Sequence, residues 1–219
     1  MKESSCYGVL VKQTDLANDD AILEFFTDKL GLVTVFVKKF NRSQKRKAEI
    51  DFFRLLELEL FRGRSSYSLR GARTHTVFHA LKTNYRTMEM GFQCLKMFEQ
   101  TLAHEKVVSE FFTQILDIWT HFTAEDTERW LAFFGVKCLQ AKGECPHLDQ
   151  IRGEMYYDLV QKKSLSMPTP HTVHLSNLDR QVFEFLRRSR VDEFEEKMAK
   201  LPLDSVQNLL PFIEQLMTV

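Results

Sequence analysis

The sequence predicts an α+β protein, a five-stranded barrel of the oligonucleotide-binding type followed by an all-helical domain. Three observations predict it. Apolar residues repeat with period two over the first seventy residues, the period changes to three or four from Thr76, and basic side chains gather around the turns of the first pattern. The boundaries expected are 1–74 for the barrel and 75–219 for the helical domain. At 219 residues, with 44% hydrophobic composition and 19 phenylalanines, both parts can carry a core.

The strands follow in order. Tyr7–Gln13 alternates Tyr7, Val9 and Val11 against Gly8, Leu10 and Lys12. Asp20–Thr27 is mostly apolar, and Leu32–Lys39 places Val33, Val35 and Val37 on one face. Asp28-Lys29-Leu30-Gly31 between the second and third strands has the Asp and Gly of a tight hairpin turn. Phe52–Phe61 contains Leu56-Glu57-Leu58-Glu59-Leu60, the cleanest alternation in the chain, with Glu57 and Glu59 on the wet face. Arg62-Gly63-Arg64-Ser65 then turns into a fifth strand at Ser66–Ala72. Five short strands in seventy residues are too few for a sandwich and fit a small, partly open barrel.

From Thr76 onward, Phe78, Leu81, Tyr85, Met88, Phe92, Leu95, Phe98 and Leu102 form the stripe of one long helix, with Gly91 as a possible interruption. Val108, Phe111, Ile115, Trp119 and Phe122 form a second. A third, opened by Thr123 as N-cap, holds Trp130, Leu131, Phe134 and Leu139. Ser164, Ser166, Pro168 and Pro170 predict an exposed loop near 163–175. Ser176 caps a helix with Leu178, Val182, Phe185 and Leu186, and a last segment with Leu209, Leu210, Ile213 and Leu216 is expected to kink or divide at Pro211.

The chain has 30 basic and 30 acidic residues, yet positions 38–73 carry 11 Lys or Arg against 4 Asp or Glu. Lys38, Lys39, Phe40, Arg42, Lys45, Arg46 and Lys47 fall in ten residues between the third and fourth strands. Cations neutralise phosphates with counterion release, and rings such as Phe40 and Tyr67 can stack bases. Arg54, Arg62, Arg64, Arg70 and Arg73 extend the set along the next two strands. A cluster of six cations alone reads equally well as a solvated loop. Its place on an oligonucleotide-binding barrel favours DNA or RNA, although such barrels also take saccharides and proteins.

No Gly-rich phosphate loop, nucleophile elbow or H-E-x-x-H helix occurs, so no enzyme and no cofactor are expected. Cys138, Cys145, His147, His171 and His174 lack paired C-x-x-C spacing, which favours structural thiols over a metal site. Four scattered cysteines and no secretory opening point to a reducing cytosol, and no apolar run is long enough to span a bilayer as a helix. Arg187, Arg188 and Arg190 complement the C-terminal end of a helix dipole, with a second DNA or acidic-peptide contact as the alternative.

Tyr7-Gly8-Val9-Leu10-Val11-Lys12, Leu30-Gly31-Leu32-Val33, the basic stretch, and Leu55-Leu56-Glu57-Leu58-Glu59-Leu60-Phe61-Arg62-Gly63-Arg64 together resemble the RecO family of recombination mediators. Phe133-Phe134-Gly135 and Pro146-His147-Leu148-Asp149 are similar to the segment before that family's zinc loop. No C-x-x-C follows near Ile151, so the zinc module is expected to be absent, and the chain reaches Val219 without the family's basic tail. The resemblance implies a nucleoid-associated cytoplasmic protein that binds single- and double-stranded DNA and anneals strands. It further implies RecA loading with RecR on DNA coated by single-strand-binding protein (SSB), whose tail docks on the helical domain. An RNA-binding module and a protein–protein adaptor are the alternatives.

Overall fold

Alternating side chains build the first structure along the chain. The computed structural model describes residues 2–63, 66–101, 108–148 and 155–218, and two compact units divide the chain at 120/121. Strands β1 (Lys2–Asp15), β2 (Ala21–Thr27), β3 (Gly31–Val37), β4 (Arg54–Arg62) and β5 (Tyr67–Val77), with helix α1 (Gln44–Glu49) between β3 and β4, form a barrel in the order β1-β2-β3-β5-β4. The long β1 serves both sides, pairing through residues 2–9 with β4 and through 8–15 with β2. Gly8 lies at the changeover, where a Cβ would stand 2.8 Å from Leu58 Cδ1, so only the bare backbone fits. Among the described residues the ring closes between β3 and β5 through two parallel pairs, Val35 with Tyr67 and Phe36 with Ser68. Leu10, Leu23, Phe25, Val33, Val35, Val37, Leu56, Leu58 and Leu60 fill the interior.

Both outer strands of the expected pattern run longer than the alternation showed. Strand β5 continues until Val77 meets Arg54, the first residue of β4. Helix α2 (Tyr85–Thr101) therefore starts nine residues after Thr76, with Phe78 and Leu81 buried around a short 3-10 turn. Leu102 lies outside the described residues. Gly91 does not break α2. It admits the ring of Phe53, whose Cζ would be 2.6 Å from a Cβ at that position.

Helices α2 and α3 (Ser109–His121) complete the first compact unit, which runs to residue 120. Phe26 alternates out of the barrel interior, and its ring meets Phe98 at 5.5 Å and Phe112 at 5.3 Å. Trp119 packs on Phe53, Phe78 and Phe98. Aromatic burial on the outside of the barrel thus ties the helices to it.

The second unit is built on α4 (Thr127–Lys142), which is buried on nearly every side by Trp130, Leu131, Phe133, Phe134, Val136, Cys138 and Leu139. Helices α5 (Asn177–Arg188), α6 (Val191–Lys197) and α7 (Leu203–Thr218) surround it. Phe194 of α6 stacks on Phe133 at 4.2 Å and meets Trp130 at 4.8 Å. Ser176 caps α5 through a reciprocal capping box with Asp179. The cap expected at Thr123 is absent, since α4 begins three residues later behind Asp126. Helix α7 runs through Pro211 undivided.

This unit is not all-helical. Strands β6 (Met155–Asp158), β7 (Lys163–Leu165) and β8 (Thr172–Leu175) form an antiparallel sheet in the order β7-β6-β8 across the expected loop. Pro168 and Pro170 occupy the β7–β8 connection, where no ladder donor is needed. Asp158 closes the adjoining turn by accepting from Val160 N, Gln161 N and Thr169 Oγ1. Strands of three and four residues are too short to display a period, and the prolines masked them.

Lys137 is 3% exposed, and its Nζ donates to the carbonyls of Arg187 at 3.1 Å and Ser189 at 2.8 Å. Burial lowers its pKa from 10.5 to about 8, while burial raises the Cys145 thiol from 9.0 to about 12. Above about pH 8 the unfolded lysine still holds the proton that the folded one sheds, so stability rises with pH. From pH 9 the unfolded thiol loses a proton that folded Cys145 keeps, which reverses the slope. The second unit is expected to gain about 1 kcal/mol between pH 8 and 9, hold level to about pH 10, then weaken as folded Tyr157 and Cys145 keep protons that the unfolded chain sheds. Urea midpoints across this range check it, with Lys137→Met removing the rise; a parent that weakens from pH 8 contradicts it.

Candidate nucleic-acid interface

The connection from β3 to β4 exposes Lys38, Lys39, Arg42, Lys45, Arg46 and Lys47. It is fixed in place against the β1–β2 turn. Lys39 N donates to Asp20 Oδ1 at 2.7 Å, Asn41 N to the Asp19 carbonyl at 2.9 Å, and Asn41 Nδ2 to Asp15 Oδ1 at 3.0 Å. The amides of Asn41 and Gln13 hold the Asp15 carboxyl below its usual range. Ser43 caps α1 by accepting from Arg46 N, and the Arg46 guanidinium donates to the Lys38 carbonyl at 3.2 Å. Arg42 pairs with Asp19 at 2.5 Å. Lys38, Lys45 and Lys47 make no ion pair among the described residues, so their charge faces solvent.

The remaining arginines divide by strand position. Arg54 and Arg62 stand at opposite ends of β4, eight residues or roughly 26 Å apart. Arg54 is internal, a correction to its expected contact role. Its Nη1 donates to the carbonyls of Ala48 and Glu49 and to Thr74 Oγ1, holding the end of α1 against β5. The Thr74 N–H also donates to the Glu49 carboxylate and keeps its pKa low. Arg73 pairs with Glu57 at 2.5 Å on the outer face, which raises the guanidinium pKa further. Arg62 lies over the Tyr67 ring at 5.5 Å and Arg70 over the Phe61 ring at 5.1 Å, both beside the β4–β5 turn. Arg64 lies outside the described residues.

The two rings expected to stack bases are elsewhere than required. Phe40 is 1% exposed and Tyr67 6%, and both belong to the barrel core. Phe36 and Phe61 lie on the outer face, because they alternate out of step with Val33, Val35 and Val37 and with Leu56, Leu58 and Leu60. That parity is present in the sequence, where Phe36 and Phe61 fall between the inward-facing valines and leucines.

Arg187 pairs with the buried Glu184 carboxylate at 2.6 Å, which also accepts from Leu148 N at 2.7 Å. Cys138 is buried in α4, His147, His171 and His174 are exposed, and no group of three potential metal ligands converges among the described residues. Asp149 and Ile151 lie outside those residues. No described helix is long and apolar enough to cross a membrane.

The barrel, the helix between its third and fourth strands and the strand order are those of an oligonucleotide-binding fold. Residues 1–78 match the family model for the recombination protein O N terminal domain. This stretch is similar to the N-terminal domain of the RecO family. The match supports assignment to the RecO family and, at that level, a role in recombination and repair. The basic β3–β4 connection, Arg62, Arg70 and the outer rings all lie within the matched stretch. No curated protein matches the chain.

Proposed function

We propose that the chain is a recombination mediator that binds single- and double-stranded DNA through its RecO N-terminal domain and anneals complementary strands. In this reading it assists RecA loading with RecR on SSB-coated DNA at the nucleoid, and the helical unit receives the SSB tail. The RecO family is one of mediators and not of enzymes, and the chain turns over nothing. One observation carries the reading: an oligonucleotide-binding barrel of this family displays Lys38, Lys45, Arg46 and Lys47 on one exposed connection.

Phosphate contact gives binding a fixed salt signature. With about five cations engaged, log affinity for single-stranded DNA should fall against log salt with a slope of about −3.5. Fluorescence anisotropy of a labelled oligonucleotide over a salt series measures it, and a flat response removes the reading. An RNA strand of the same sequence, run as competitor, separates a DNA mediator from an RNA-binding module. RNA displacing DNA at lower concentration than unlabelled DNA would favour the module.

A further inference from the structure

We infer that Phe36 and Phe61 are a base-stacking platform that gives the RecO domain a preference for single-stranded over duplex DNA; this rests on the DNA-binding reading above. Phe36 on β3 is 37% exposed, and its register partner on β5 is Ser68. Ser68 is also the partner of Phe61 on β4. The two rings therefore flank a small side chain across two interstrand spacings, roughly 10 Å between Cα positions. That leaves a shallow trough walled by aromatic carbon on the outside of the barrel.

A bulge supplies the cation. The register of β4 on β5 shifts between Glu59 and Leu60, whose partners are Gly71 and Leu69, and Arg70 is the extra residue. Bulges of this kind redirect a side chain, and here the Arg70 guanidinium lies over Phe61. An arginine already stacked on one ring face offers a flat cationic surface to a nucleobase.

Charge around the two rings is balanced, Arg62 and Arg70 against Glu3 and Glu59, whereas the basic connection carries excess cations. Glu3 pairs in register with Phe61 on the β1 side, and the Glu59 carboxylate lies against Gly71. The excess of cations, and with it the pull on phosphates, begins two residues beyond Phe36, at Lys38. A single strand can satisfy both, with backbone along the basic connection and unstacked bases turned to the rings. A duplex cannot, since its bases already stack on each other and present only phosphates and groove edges.

The test pairs ring removal with base removal. Phe36→Ala/Phe61→Ala and Phe36→Leu/Phe61→Leu are compared with the parent on an oligo-dT strand, an abasic strand of equal length and a blunt duplex. Both rings are on the outer face, so thermal melting should match the parent. Both variants are expected to lose at least roughly tenfold in oligo-dT affinity, with duplex and abasic binding and the salt slope unchanged. Equal losses on all three strands, or no loss on oligo-dT, overturn the platform. In the second case the DNA-binding reading survives if the parent still shows its salt slope. A parent that binds no nucleic acid removes both.

Discussion

Reversing Lys45, Arg46 and Lys47 to Glu together should weaken single-strand binding roughly 500-fold at 50 mM salt and roughly 50-fold at 150 mM, with the barrel still folded and only the Arg46 bond to the Lys38 carbonyl lost. The three side chains are exposed on α1, and none makes an ion pair with a carboxylate among the described residues. Removing three of about five phosphate contacts changes the log–log slope from about −3.5 to about −1.4. If electrostatic binding vanishes near ~1 M salt, the parent and variant lines meet there and diverge by those factors at lower salt. Strand annealing should fall in parallel. Arg54 provides the contrast, since its guanidinium holds the α1 carbonyls. Arg54→Ala should lower the melting temperature and leave the salt slope of the folded fraction alone. Unchanged binding by the triple variant would leave the basic connection without its role.

Replacing Phe53 by Ala should destabilise the first unit by about 3–5 kcal/mol, the range for a fully buried phenylalanine. The ring is 1% exposed and meets Phe92 at 5.3 Å and Trp119 at 6.0 Å, joining the start of β4 to α2 and α3. Its backbone has φ of 58°, in the left-handed region that costs a side-chain-bearing residue about 1 kcal/mol or more. Phe53→Gly should therefore be more stable than Phe53→Ala by about 1 kcal/mol, the reverse of the usual order of the two residues. Gly91 supplies an independent check, because a Cβ there collides only with the Phe53 ring. Gly91→Ala should harm the parent and help the Phe53→Ala background, where the space is vacant and alanine favours helix. Urea unfolding of the four proteins reads this cycle; additive effects would show that the ring and the glycine do not touch.

The barrel was legible because two-residue periodicity survives in strands of seven or more residues. Val33, Val35 and Val37 and Leu56, Leu58 and Leu60 face inward as their spacing implies. Pairing across the barrel was not legible, and with it went the ends of β1 and β5 and the late start of α2. The sheet formed by β6, β7 and β8 escaped for a different reason: each strand is too brief for a period, and nearby prolines argued for a loop. For the interface, composition located the cations but not their commitments. Nothing in the sequence separates Arg54, bound to main-chain carbonyls, from Lys45, facing solvent. Phe40 and Tyr67 were chosen by nearness to charge, whereas alternation assigns Phe36 and Phe61 to the surface.

The two-pair join between β3 and β5 makes the cylinder a curled sheet held by a short clasp. Its amides should be the first of the barrel to exchange with solvent, ahead of the long β1–β4 and β4–β5 ladders. A strand lying from Phe36 to Phe61 would straddle that clasp and fasten it from outside. Occupancy by DNA would then slow exchange at Val35, Phe36, Tyr67 and Ser68 more than elsewhere, coupling what the molecule grips to how tightly its own wall is shut.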